Sequence, residues 1–223
     1  MEPPTTLRAV RSWDEAVPDR GSDGGVLEAM LLTVGARGYE RASVQEVLDR
    51  TGVSRQRFNR RFAGKEACFA EACEAAADRL CRDLLETGRA APSWREGFRA
   101  ALAELLRTVA EQPLLAKALL IEVRAARGEA LAKHQQIVER LAAAVDRARG
   151  EPGASPAATP LTAQFVVGAI EESICVEIGA GRAARVERLL PDLAHLAVLN
   201  YFGEDEAWLE LGSARSATIG PAS

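Results

Sequence analysis

The chain has 223 residues, with 28 Lys and Arg against 32 Asp and Glu, for a net charge of −4 at pH 7. That length fits one small domain plus a larger one with a proper core, and an acidic total excludes a protein that is basic throughout. Apolar residues make up 48% but aromatic ones only 5%, and without alternating β-branched runs the composition predicts an all-α fold. No apolar run approaches a membrane span and the N-terminus has no hydrophobic signal core, so no membrane association and a cytoplasmic location are expected.

Residues 1–22 are polar and interrupted by proline, and are expected to form a disordered arm; Arg8 and Arg11 could reach a nucleic-acid groove, or lie in a plain solvated tail. A first helix is predicted over Asp23–Arg37, with Leu27, Met30, Leu31 and Val34 as its apolar stripe. Next, SVQEVLDRTGVSRQRFNRRFAGKE, from Ser43 to Glu66, has the pattern of a helix-turn-helix. Ser43 and Glu46 have capping-box spacing, and Val44, Val47 and Leu48 mark a buried face. Gly52 supplies the turn, Val53 plugs the corner, and Ser54 caps a second helix buried by Phe58 and Phe62. Gln56 and Arg60 then point outward, flanked by Arg57, Arg61 and Asn59, with Arg55 at the amino end. Between Val53 and Lys65 there are cations and no acid. A compact basic element in an acidic chain suits contact with a polyanion at one place.

From Val26 to Phe69 the sequence resembles the DNA-binding domain of the TetR family of bacterial transcriptional regulators. The resemblance rests on the helix ending at Gly38-Tyr39, the Ser43-Val44 start, Thr51-Gly52-Val53-Ser54, the phenylalanine pair and Gly64-Lys65-Glu66. It implies a helix-turn-helix domain at 23–68 and a ligand-binding and dimerisation domain at 69–203. Arg55, Gln56 and Arg60 would touch base edges, while Ser43, Arg57, Asn59, Arg61 and Lys65 hold phosphates of a double-stranded operator, and Ser54, the cap of the reading helix, also belongs to the DNA-binding set. The chain departs from the family at Asn59, where a phosphate-contacting tyrosine is usual, at Gln56, where a small residue is common, and at Arg61, often histidine. Those replacements bear on operator sequence.

Beyond the motif, helices are predicted over Lys65–Glu86, broken at Gly88–Ser93, then Trp94–Glu111, and from Pro113 to a break at Gly128. A further helix reaches Arg149, a loop follows at Gly150–Pro160, and two last helices cover Leu161–Ile178 and Ala184–Phe202. Residues 204–223 are expected to be a tail. The last two helices are apolar over much of their circumference, as helices buried on two sides are, and the resemblance implies that they pair a homodimer. Helices between Trp94 and Glu177 would enclose a small apolar or amphipathic effector. The residues proposed to line its cavity are Phe98, Leu102, Leu119, Glu122, Gln136, Phe165 and Glu172, with Arg124 as a further polar anchor. The alternative for the charged ones is solvent exposure or pairing across helices. Four cysteines lack metal-ligand spacing and read as reduced, buried small hydrophobes. His134 and His195 stand apart from any acid–nucleophile set, and no phosphate-binding glycine loop occurs, so neither an enzyme nor a cofactor is expected. A rival reading is an all-helical dimeric small-molecule-binding protein whose DNA binding has degenerated.

Overall fold

A computed structural model describes residues 22–126 and 128–219, and among them there are helices and no strand. The expected N-terminal arm, Ser22 apart, lies outside the described residues. Ser22 accepts a hydrogen bond from the Gly25 N–H and starts α1 (Asp23–Arg37). Then come α2 (Val44–Thr51), α3 (Arg55–Arg61) and the long α4 (Lys65–Ala90). α4 passes through Gly88, where a break was expected, because α5 (Trp94–Glu111) crosses it there. A β-carbon at Gly97 would stand 2.2 Å from the Gly88 carbonyl oxygen, so the two helices meet backbone to backbone.

The expected single helix from Pro113 is divided. α6 (Pro113–Lys117) runs into a π-helical turn (Ala118–Glu122) and then α7 (Val123–Ala126), with Val123 N–H bonded to the Ala118 carbonyl. Such a turn widens the helix by one residue and re-aims the side chains that follow it. α8 (Gly128–Val145) ends in a 3₁₀ turn (Asp146–Gly150). α9 (Pro160–Gly179) follows, and the next segment enters through a 3₁₀ stretch (Ala183–Leu189) before α10 (Leu190–Phe202).

The expected tail is instead a helix, α11 (Glu204–Ile219). It buries Ala207, Glu210, Leu211 and Ala214. Arg99 bonds Glu210 at 2.7 Å, Arg95 pairs with Glu206, and His195 Nδ1 donates to the Ala207 carbonyl at 2.9 Å. Glu210 is only 5% exposed, and a charge so placed needs its partner.

Apolar side chains form two clusters. One joins α1–α3 and the start of α4 to Ala118, Leu119, Val123 and Ala130; the other fills the body from α5 to α11. The π-turn therefore contributes directly to the core of the N-terminal helices. Two further contacts fix that junction. A β-carbon at Gly35 would lie 2.2 Å from the Leu114 carbonyl oxygen, and the Glu122 carboxylate accepts the Tyr39 N–H at 2.8 Å.

Candidate nucleic-acid interface and effector cavity

The two short helices are held by their own ends. Ser43 Oγ accepts from Glu46 N–H while Glu46 reaches back to Ser43 N–H, a reciprocal cap of the kind that contributes about 1 kcal/mol. Those Ser43 hydrogen bonds, and Arg37 beside them, hold the Glu46 carboxyl below the ordinary range. Gly52 closes α2 with φ 70°, ψ 10°, a left-handed conformation that a side chain would strain. Ser54 caps α3 by accepting from Arg57 N–H. Phe58 and Phe62 are buried with their rings 5.1 Å apart, so α3 is anchored by one face and leaves the other to solvent.

On that outer face Gln56, Asn59 and Arg60 are exposed, and none has a side-chain partner among the described residues. The remaining cations are engaged. Arg55 donates to Gln45 at 2.8 Å, and Gln45 in turn to Asp49. Arg57 and Arg61 both approach Asp23, at 3.6 and 3.2 Å, and Arg61 also forms a two-pronged pair with Glu71. These pairs are exposed and exchange readily for other anions.

Lys65 differs from what its sequence position suggested. Its ammonium donates to the carbonyls of Tyr39 at 2.8 Å and Ala42 at 3.3 Å and lies 4.3 Å over the Tyr39 ring. It ties the chain between α1 and α2 to the start of α4. Ser43, likewise, has its hydroxyl occupied by the cap.

Two cavities open in the body. One, about 690 Å³ including its mouth, lies among α4, α5, α8 and α9 and is lined by Trp94, Phe98 and Leu102, with Arg147 at its edge. The other, about 1080 Å³, reaches the π-turn through Leu119, Leu120 and Val123 and carries Gln136, His134 and Glu171. The expected lining residues thus divide. Phe98, Leu102, Leu119 and Gln136 lie on cavity walls. Glu122 instead faces the N-terminal helices, bonded to Tyr39 N–H with Lys117 3.5 Å away. Phe165 is 58% exposed on the outside of α9, and Glu172 points outward with Arg124 3.9 Å away.

Unforeseen polar residues on the wall of the larger cavity are Glu74, Asp78, Lys133, His134, Arg140 and Glu171. His134 Nε2 lies 3.0 Å from Glu171 Oε1, and Arg124 donates to the same oxygen at 2.6 Å. Burial would raise the Glu171 carboxyl, but its bonds to His134 and Arg124 outweigh that and hold it below the ordinary range. Glu171 and Glu172 are adjacent, and only helix phase decides which faces inward.

Cys68 and Cys73 are buried, which pushes both thiols up to about 12. On the outer surface, Leu161, Phe165 and Val176 of α9, Leu199 of α10, and Trp208 and Leu209 of α11 are exposed. No described helix is long and apolar enough to cross a membrane.

A capped helix-turn-helix with a polar outer face, wedged against a hollow helical body, is the architecture of a DNA-binding regulator. Residues 27–72 match the family model described as bacterial regulatory proteins, tetR family. Over that segment the chain is similar to the TetR family of bacterial transcriptional regulators, whose members bind DNA and small-molecule effectors. No curated protein sequence matches the chain. Among solved structures, the fatty acid degradation regulator FadR from Bacillus halodurans aligns with a TM-score of 0.70 at 15% identity, covering 78% of this chain and 96% of its own. FadR from Bacillus subtilis, solved in complex with stearoyl-CoA, gives 0.70 at 16% identity over the same shares. SmeT, the repressor of the Stenotrophomonas maltophilia multidrug efflux pump SmeDEF, gives 0.69 at 17% identity over 85% of this chain and 94% of its own. At these identities the likeness concerns the fold.

Proposed function

We propose that the protein is a non-enzymatic cytoplasmic repressor that binds a palindromic operator as a homodimer and is released by a small amphipathic molecule. The observation that carries the DNA-binding half is the outer face of α3. Gln56, Asn59 and Arg60 stand exposed and unpartnered on a helix whose other face is fixed by two buried phenylalanines. Side chains of that length and chemistry can pair with base edges in a major groove, and each good bidentate contact discriminates by about 1–3 kcal/mol. Arg55, Arg57 and Arg61 exchange their surface carboxylates for phosphates. In this reading residues 23–68 form the DNA-binding unit and Lys65 acts as a strut within it.

One recognition helix of seven residues offers little affinity, so two copies are needed. The exposed apolar side chains of α9 and α10 supply a surface for a two-fold contact. Release follows from linkage. The π-turn borders the cavity through Leu119 and Leu120 and bonds the N-terminal domain through Glu122, so an occupant that shifts that turn moves α1 and with it the spacing of the two α3 helices. FadR from Bacillus subtilis, in the same fold, is solved in complex with stearoyl-CoA, which supports an amphipathic ligand with a hydrocarbon chain.

Fluorescence anisotropy on the DNA upstream of the coding region tests this. Specific binding should exceed that to a scrambled duplex by roughly a thousandfold or more and weaken steeply with salt. Arg60→Ala should reduce sequence preference while leaving the melting temperature unchanged. Equal affinity for both duplexes would favour the rival reading, a helical binding protein with degenerate DNA recognition.

A further inference from the structure

The two cavities adjoin at Leu84, Leu105, Leu141, Val167 and Ile170, apolar side chains whose rotation would let a single elongated molecule reach from one into the other. Their charges are unequal. The larger one is lined by three carboxylates, Glu74, Asp78 and Glu171, and by two cations, Lys133 and Arg140. Both cations are already spent on wall carboxylates: Lys133 on Glu74 at 2.6 Å, and Arg140 on Asp78. Glu171 has no partner among those two cations and pairs instead with Arg124, from outside the lining; its side chain is 13% exposed.

Its protein partners do not saturate it. Arg124, which is half exposed and does not line the cavity, bonds Oε1, and so does His134 Nε2. Oε2 has no hydrogen bond among the described residues. An unbonded carboxylate oxygen on a side chain only 13% exposed is a strong acceptor, because hydrogen bonds to charged groups exceed neutral ones and partial burial reduces screening. At the opposite end stands Arg147, an exposed cation in open solvent, where an ion pair is worth little.

From this asymmetry we propose that the effector is a cationic amphipath: a primary ammonium donating to Glu171 Oε2, with its hydrocarbon running past Leu105 and Ile170 toward Trp94 and Phe98. A carboxylate-headed molecule of the same length would meet cations already paired and one carboxylate that repels it. This rests on the reading of the body as an effector site, and the test separates the two.

The full-length protein is titrated by calorimetry with decylammonium, decan-1-ol and decanoate, each below its micelle-forming concentration, at about pH 8, where the alkylammonium and the carboxylate are both charged. Release of upstream DNA is followed in parallel. Decylammonium should bind roughly ten- to a hundredfold tighter than decan-1-ol, with decanoate weakest. Glu171→Gln should abolish the preference for the ammonium while leaving decan-1-ol affinity unchanged. Glu172→Gln, one residue away and exposed, should keep the preference within about twofold, and Ala144→Leu, which narrows the tail end, should weaken all three probes alike. The ranking in the native protein stands as a test even if Glu171→Gln does not fold. Equal affinity for ammonium and alcohol, or a preference for decanoate that would point to Arg147, would overturn the proposal and leave the effector site standing. Binding by none of the three would refute both.

Discussion

Replacing Gly35 by alanine adds one methyl group where α1 of the DNA-binding helices meets the α6 backbone. The new carbon would sit 2.2 Å from the Leu114 carbonyl oxygen and 2.8 Å from its carbon, whereas ordinary contact begins at 3.4 Å. Both neighbours are backbone atoms of α6, so no rotamer relieves the clash and the crossing must open by about an ångström. Overpacking of this kind costs about 1–3 kcal/mol, and backbone against backbone belongs at the upper end. Alanine recovers about 1 kcal/mol of helix propensity, leaving a net loss of about 2 kcal/mol. For a chain of this size that is roughly 4–8 °C in melting temperature, measurable by circular dichroism or calorimetry. Gly97→Ala is the matched comparison, since its new carbon meets the Gly88 carbonyl oxygen at the same 2.2 Å. It should destabilise similarly but lies inside the body, so operator affinity should fall more for Gly35→Ala. The reasoning is refuted if Gly35→Ala melts at or above the parent temperature.

Three further outcomes are expected. Lys65→Met should cost about 1–3 kcal/mol in urea unfolding by releasing the Tyr39 and Ala42 carbonyls, yet leave the salt dependence of DNA binding unchanged; Arg60→Ala should lower that slope by about one. An unaltered stability with a reduced slope would return Lys65 to the phosphate contacts. Cys68 and Cys73, with thiols near 12, should resist alkylation by iodoacetamide at neutral pH until denaturant is added, as mass spectrometry would show. The Glu171 carboxyl is lowered in the folded state, so its contribution is complete above the ordinary carboxylate range and is lost as pH falls through the lowered value. Urea titrations should therefore show a weaker acid decline for Glu171→Gln than for the parent below about pH 4.

Helix boundaries set by local chemistry were readable in the sequence. Ser43 and Ser54 cap the helices that follow them as expected, and α1 and α5 span the residues their apolar spacing predicted, with Ser22 and Ser93 as caps that only the structure shows. What escaped depends on partners distant along the chain. α11 buries mainly small residues, follows Gly203 and contains Gly212, so it reads as a tail; its anchors, Arg95 and Arg99, lie 111 residues before the glutamates they hold. Lys65 looks like a phosphate ligand until Tyr39 and Ala42 come beneath it. Glu122 was correctly singled out as an acid in an apolar run, but its partner is a backbone N–H 83 positions earlier, not an effector. His134 and Glu171, 37 residues apart, meet only after α8 packs on α9.

The π-turn at Ala118–Glu122 also has an arithmetical side. An unbroken helix from Pro113 to Ala126 would keep one angular phase, and each further residue would arrive 100° on from the last. The wider turn resets that count partway along, so the half facing Gly35 and the half facing the cavity obey different registers. Insertions or deletions within these five positions therefore act as a change of gear rather than of length. Sequence drift here would rotate the cavity wall relative to the N-terminal helices while leaving the caps and the recognition helix untouched.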